Sequence, residues 1–164
     1  MDIIAAIIAD SKKPAKTRAK KPDEKRPLII IIKHFSYKDI DEVYITGGEP
    51  LLKSKYINKL IESAPQRVLF TILTNGVILP SEKILNTKRV KLCIPLYSSF
   101  DELHNYMTGA SFFYRVVDNL MKLSSLHIPI ELRFVITKLN YKDMVEFARF
   151  VYRNLPFVQN IAFM

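Results

Sequence analysis

Four times in succession, a short run rich in β-branched residues gives way to a stretch with apolar residues at helical spacing. This order constrains the fold of this chain more than any other feature. Residues 43–46 suit a pleated strand, and residues 53–64 then place Tyr56, Ile57, Leu60, Ile61 and Ala64 on one helical face before Pro65 stops the helix. The spacing predicts a second strand over 68–73, a helical piece over 81–86 and a third strand over 90–96, with Pro95 marking an irregular strand end. Ser99 and Glu102 stand at capping-box spacing before a helix ending near Gly109. Phe112, Phe113, Val116, Val117, Leu120 and Met121 form the next stripe. A fourth strand is expected over 129–136. Asn140 and Asp143 then cap a helix over 141–154 with Met144, Val145, Ala148, Val151 and Tyr152 inward, and a fifth strand starts at 158. Such alternation with short connections argues for an α/β fold of parallel strands joined by right-handed crossovers.

Ligands of parallel α/β sheets bind beyond the carboxyl ends of the strands. Polar exits fall there at Gly47-Gly48-Glu49, at Thr74-Asn75-Gly76, at Tyr97-Ser98, and at Arg133 near the end of its strand. The first exit stands out. Paired glycines allow positive φ or close approach of backbone to a ligand, a carboxylate follows, and Pro50 can begin a helix. The alternative for each position is structural: a solvent-facing Glu49, an Asn75 that only makes a turn, a Ser98 that helps cap the next helix, an Arg133 that pairs with Glu131.

The N-terminal quarter reads differently. Residues 1–10 carry apolar pairs at helical spacing but are too short to be stable unaided, and they stay unassigned. Residues 12–26 hold eight Lys or Arg against Asp23 and Glu24, and so carry six of the nine net positive charges. Such a segment buries too little to offset its ordering entropy, and residues 1–27 are expected to be an apolar start plus a disordered basic linker. Nucleic acid or an acidic partner could bind this segment, although a charge run is more often a solvated linker. Residues 28–35 suit a strand or a helix equally. The folded domain is expected over 28–164. No apolar run reaches a membrane-spanning length, and no positively flanked signal opens the chain, so a cytoplasmic protein is expected. Cys93 is the single cysteine, which excludes an intramolecular disulfide and a cysteine-built metal site from this chain alone. It reads as a small core residue. His34 and His127 are expected to face solvent, and no metal ligands are identified.

Thr46-Gly47-Gly48-Glu49-Pro50-Leu51-Leu52, then Leu73-Thr74-Asn75-Gly76, then Ile94-Pro95-Leu96-Tyr97-Ser98, occur in an order that resembles the radical S-adenosylmethionine enzymes. Leu103-His104-Asn105 and residues 131–137 are similar to later parts of that family's barrel. Residues 94–98, 154–158 and 161–164 look most like the maturase of the His-Xaa-Ser peptide system. The resemblance implies a partial (β/α) barrel with about four to five parallel strands. It implies that Gly47, Gly48 and Glu49 meet the amino group of S-adenosylmethionine, that Ser98 bonds ribose or carboxylate, that Arg133 holds the carboxylate, and that Asn75 lines the cavity. His104 would be structural.

It further implies a four-iron, four-sulfur cluster on a Cys-x3-Cys-x2-Cys loop, for which this chain has no ligands, the basic segment standing where the loop belongs. The expectation is therefore a family member without catalytic residues for radical chemistry, either a degenerate or fragmentary peptide maturase or a cluster-free binding or scaffold module. Its partner would be a peptide substrate or another maturase. Exposed strand edges would favour self-association.

Overall fold

The computed structural model describes the backbone of residues 2–7 and all of residues 40–164. Among the described residues, six strands form one parallel sheet in chain order: β1 (Asp2–Ile7), β2 (Ile40–Thr46), β3 (Leu69–Leu73), β4 (Val90–Pro95), β5 (Ile130–Phe134) and β6 (Asn160–Phe163). The described α-helices between them are α1 (Ser54–Ser63), α2 (Glu82–Leu85), α3 (Asp101–Thr108), α4 (Phe113–Leu123) and α5 (Met144–Asn154). The first and last strands do not pair with each other, so the sheet is an open, partial barrel. The expected parallel α/β architecture is present.

The sheet holds one element that sequence reading left unassigned, the strand Asp2–Ile7. It pairs along its length with β2, from Asp2 opposite Ile40 to Ile7 opposite Thr46. The helical spacing of its apolar pairs was overridden by a non-local partner, which a sequence window cannot contain. The expected basic linker and the ambiguous stretch 28–35 lie outside the described residues.

Strand register sorts the side chains. Val43 and Ile45, Phe70 and Ile72, Leu92 and Ile94, and Ile130, Leu132 and Phe134 occupy one face, and all are buried under the helices. Phe147 of α5 closes on Phe134 with ring centroids 4.6 Å apart. Val116 of α4 packs beside Ile94 over the position of Gly76. The opposite face carries Glu42, Thr71, Lys91, Cys93, Glu131, Arg133 and Asn160. One face of the sheet is thus an oily core and the other a polar wall that also carries Leu69, Leu73 and Pro95.

Helix ends follow local chemistry, with corrections to the expected caps. Pro50 opens a short 3-10 turn, Pro50–Lys53, capped by Glu49, and α1 continues from it. Arg89 serves the far end of α1 by donating to the carbonyls of Ile61 at 2.7 Å and Pro65 at 2.8 Å. Gly109 ends α3 in the left-handed conformation at φ 69°. The Ser99/Glu102 capping box does not form: Phe100 is the N-cap, and the Ser99 hydroxyl donates to Asp143 at 2.8 Å. Neither Asn140 nor Asp143 makes a side-chain cap bond to the helix that follows. Both are used instead by the neighbouring strand exit.

Two apolar stripes are rotated from those expected. On α5 the buried face runs through Phe147 and Val151 to Leu155, while Val145 and Tyr152 are 63% and 83% exposed. On α4, Phe112 and Met121 are exposed while Asn119 is buried, its amide donating to the carbonyls of Gly76 at 2.9 Å and Val77 at 3.0 Å. In both helices the sheet curves beneath only one of two adjacent apolar columns.

Candidate functional site

The strand exits gather at the carboxyl edge of the sheet. After β2 the backbone takes positive φ at Gly47 (101°) and Gly48 (53°), a pair of conformations that side-chain-bearing residues seldom adopt. Glu49 then turns its carboxylate across to the next exit. Its Oε1 accepts from the Leu51 amide at 3.0 Å and the Thr74 hydroxyl at 2.7 Å, and its Oε2 accepts from the Asn75 amide at 2.8 Å. One side chain thus ties the β2 and β3 exits together, and Oε2 keeps capacity for a further donor. Asn75 is exposed, and its Oδ1 accepts from the Val77 amide at 2.9 Å, closing the turn in which Gly76 has φ 76°.

The β4 exit is held from two sides. The Tyr97 amide donates to His104 Nδ1 at 3.3 Å, and the Tyr97 carbonyl accepts from Asn140 Nδ2 at 2.8 Å. Ser98 is fully buried; its hydroxyl donates to Asp143 at 2.5 Å and accepts from the Phe100 amide at 2.9 Å. The Ser99 amide also donates to Asp143, at 3.0 Å. Asn140 further accepts from the Thr137 amide at 2.7 Å, so the β5 exit and the β4 exit share one polar latch. Ser98 therefore faces the latch rather than open space. His104 is buried against Tyr97 and Phe113, and burial lowers its pKa, which favours the neutral ring that accepts the Tyr97 amide. His127 is exposed and in the left-handed region, and His34 lies outside the described residues.

Arg133 stands one residue from the end of β5 on the polar wall. Its Nε donates to Glu131 Oε1 at 3.1 Å. Glu131 also takes Lys91 Nζ at 2.6 Å, Asn160 Nδ2 at 3.0 Å and the Cys93 thiol at 3.3 Å. Burial alone would raise the Glu131 pKa, but these donors outweigh it and hold the carboxyl down to about 2. Burial pushes the Cys93 thiol up to about 12, so it is a protonated donor and not a thiolate. Cys93 is buried as expected, yet it belongs to a charged layer and not to the oily core. Among the described residues no group of three or more His, Cys, Asp and Glu is placed to hold a metal ion.

Of the expected site residues, the structure joins Glu49 to Asn75 through the Glu49 carboxylate, with Gly47 and Gly48 directly before it in the same exit. It sets Ser98 in the latch and Arg133 in the Glu131 layer. Asn140, Asp143, Lys91, Glu131 and Asn160 were not singled out as site residues. Only the alternation of charged and apolar residues within 90–95 and 130–134 hinted at a polar wall.

The chain is 30% identical over 117 residues to a "Probable GTP 3',8-cyclase" from Sulfolobus acidocaldarius, covering 68% of this chain and 37% of that protein. It is 25% identical over 126 residues to a protein of the same name from Methanocaldococcus jannaschii, covering 74% and 42%. The chain thus spans about two fifths of the length of these curated relatives. Its fold matches Streptococcus suis SuiB bound to precursor peptide SuiA, with TM-score 0.67 and 18% identity, over 98% of this chain and 38% of that one. It also matches anSMEcpe bound to AdoMet and a Kp18Cys peptide, with TM-score 0.72 and 12% identity, over 99% and 51%. The model described as the Radical SAM superfamily matches residues 9–151, and the chain therefore belongs to the radical S-adenosylmethionine superfamily.

Proposed function

We propose that the carboxyl edge of this sheet binds S-adenosylmethionine in a peptide-maturase-like member of the superfamily. The observation that carries this reading is the Gly47-Gly48-Glu49 exit: two positive-φ glycines beside a carboxylate already oriented by three donors and still able to accept another. An ammonium group is satisfied by such a carboxylate and by backbone carbonyls that glycine leaves accessible. Arg133 offers a guanidinium fork to a carboxylate, and Asn75, exposed beside Glu49, lines the same edge. Ser98 contributes through the latch, which sets the path of the β4 exit, and not through a free hydroxyl.

The family's iron-sulfur cluster does not fit this chain. Three thiolates are required, the sequence has one cysteine, and that thiol is buried and bonded to Glu131. On its own the chain binds the cofactor without cleaving it. Likeness of fold to enzymes whose structures contain peptides, and the resemblance of residues 94–98, 154–158 and 161–164 of this chain to the His-Xaa-Ser maturase, favour a peptide or another maturase as partner. Residues 12–26, with their surplus of cations, favour a second reading in which an acidic partner or nucleic acid is held by this segment.

Calorimetry with S-adenosylmethionine tests the first reading: saturable binding is expected, weakened at least about tenfold by Glu49→Ala, a loss of about 1.4 kcal/mol. The absence of saturable binding to the intact chain would refute it. Salt-sensitive gel retardation that disappears when the Lys and Arg of residues 12–26 are replaced by Gln would support the second.

A further inference from the structure

Across β4, β5 and β6 the register sets Cys93, Glu131 and Asn160 side by side, with Lys91 two residues earlier on β4 and Arg133 two residues later on β5. Equal parity puts all five on the face opposite the oily core. Glu131 is at the centre. Its Oε2 accepts from Lys91 at 2.6 Å and Asn160 at 3.0 Å, and its Oε1 from Arg133 at 3.1 Å and Cys93 at 3.3 Å. A carboxylate has about four lone-pair sites, so Glu131 is saturated and has no acceptor left for a ligand.

Arg133 is in the opposite condition. Only its Nε is engaged among the described residues, which leaves the Nη1–Nη2 edge of the guanidinium, the edge that grips a planar carboxylate through two parallel bonds. Two cations, Lys91 and Arg133, share the Glu131 carboxylate, so this trio carries a net positive charge, the Glu42 carboxylate of the same face being bonded to Thr71. The side chain of Glu131 is 10% exposed and that of Arg133 23%, so the charge sits in a partly desolvated wall where its field is not fully screened. Apolar residues would fill such a wall at lower cost than an ion trio. The trio has a use if the orientation of Arg133 matters.

We infer that Glu131, braced by Lys91 and Asn160, is a positioning residue that aims the free edge of Arg133 at an anionic carboxylate of the bound ligand. This rests on the S-adenosylmethionine reading given above and adds to it the residues that set its carboxylate subsite. Holding Nε removes one rotamer-rich side chain's ordering cost from the binding step, which is how preorganisation raises affinity.

The test uses the full chain in calorimetry with two probes, S-adenosylhomocysteine, which has the amino-acid carboxylate, and 5′-methylthioadenosine, which lacks it. Glu131→Gln is expected to weaken the first by about tenfold and the second by less than about twofold, the larger loss being about 1.4 kcal/mol. Arg133→Gln should show the same selectivity, and Glu131→Gln combined with Arg133→Gln should be no weaker than Arg133→Gln alone. Should Glu131→Gln fail to fold, Asn160→Ala on the edge strand takes its place, with a selective loss of about threefold expected. A purely structural Glu131 would weaken both probes alike, and that result, or additive losses, would overturn the inference while leaving the cofactor reading intact. If the unaltered chain binds neither probe, both fall.

Discussion

Removing the Asp143 carboxylate should cost more stability than removing any exposed carboxylate of this protein. Asp143 is 7% exposed and accepts from the Ser98 hydroxyl at 2.5 Å, the Ser99 amide at 3.0 Å and the Ser99 hydroxyl at 2.8 Å. In Asp143→Ala the Ser99 hydroxyl can turn toward solvent, but the Ser98 hydroxyl is fully buried and the Ser99 amide is fixed by the backbone. Each of these two donors left without a partner costs about 1–3 kcal/mol, so the expected loss is about 2–6 kcal/mol. Asp118→Ala removes only an exposed pair with Lys122 and should cost less than about 1 kcal/mol.

Urea denaturation of both variants at neutral pH measures the difference, with the slope checked so that a change of midpoint is a change of stability. Because Ser98 and Asp143 touch, Ser98→Ala and Asp143→Ala should be non-additive by about 1 kcal/mol or more. A loss below about 1 kcal/mol for Asp143→Ala, or additivity within about 0.5 kcal/mol, would show that the latch does not hold the two exits together.

Gly76→Ala and Gly109→Ala separate backbone strain from crowding. Both glycines have positive φ, which costs alanine about 1–2 kcal/mol, but a Cβ at Gly76 would lie 2.8 Å from Ile94 Cγ2 and 3.1 Å from Val116 Cγ1, whereas at Gly109 it meets open space. Thermal unfolding should therefore place Gly76→Ala below Gly109→Ala by about 1–3 kcal/mol. For Glu131 the folded carboxyl sits at about 2, below its unfolded value, so its stabilisation is complete above about pH 4.3 and fades as the pH falls toward 2. The stability gap between the unaltered protein and Glu131→Gln should close over that acidic interval, and a gap independent of pH would contradict the Lys91–Glu131–Arg133 layer.

How legible this fold was depended on the range of the information. Strands β2 to β6 and the helices between them could be read from local periodicity, because each apolar stripe and each Pro or Gly stop is contained within a dozen residues. Asp2–Ile7 could not, since its strand conformation is set by pairing with residues 40–46 across a long connection. The exits were legible as polar breaks, but the partners of their side chains were not. Ser99, Asn140 and Asp143 all suit helix caps locally, but the structure spends Ser99 and Asp143 on each other across more than 40 residues and Asn140 on the Tyr97 carbonyl. Ser98 looked available for a ligand for the same reason. The polar wall was missed because Lys91 and Glu131 alternate with apolar residues as solvent-facing strand residues also do, and only the strand register brings them together.

The central claim, that the carboxyl edge of the sheet binds S-adenosylmethionine, is tested most directly by mapping the amide and guanidinium NMR shifts of the labelled protein as the cofactor is added. Saturable shifts should appear at the amides of Gly47, Gly48, Glu49 and Asn75 and at the Arg133 side chain, with β-strand amides at the opposite end of the sheet unmoved. Shifts absent from these positions, or confined to residues 12–26, would contradict it.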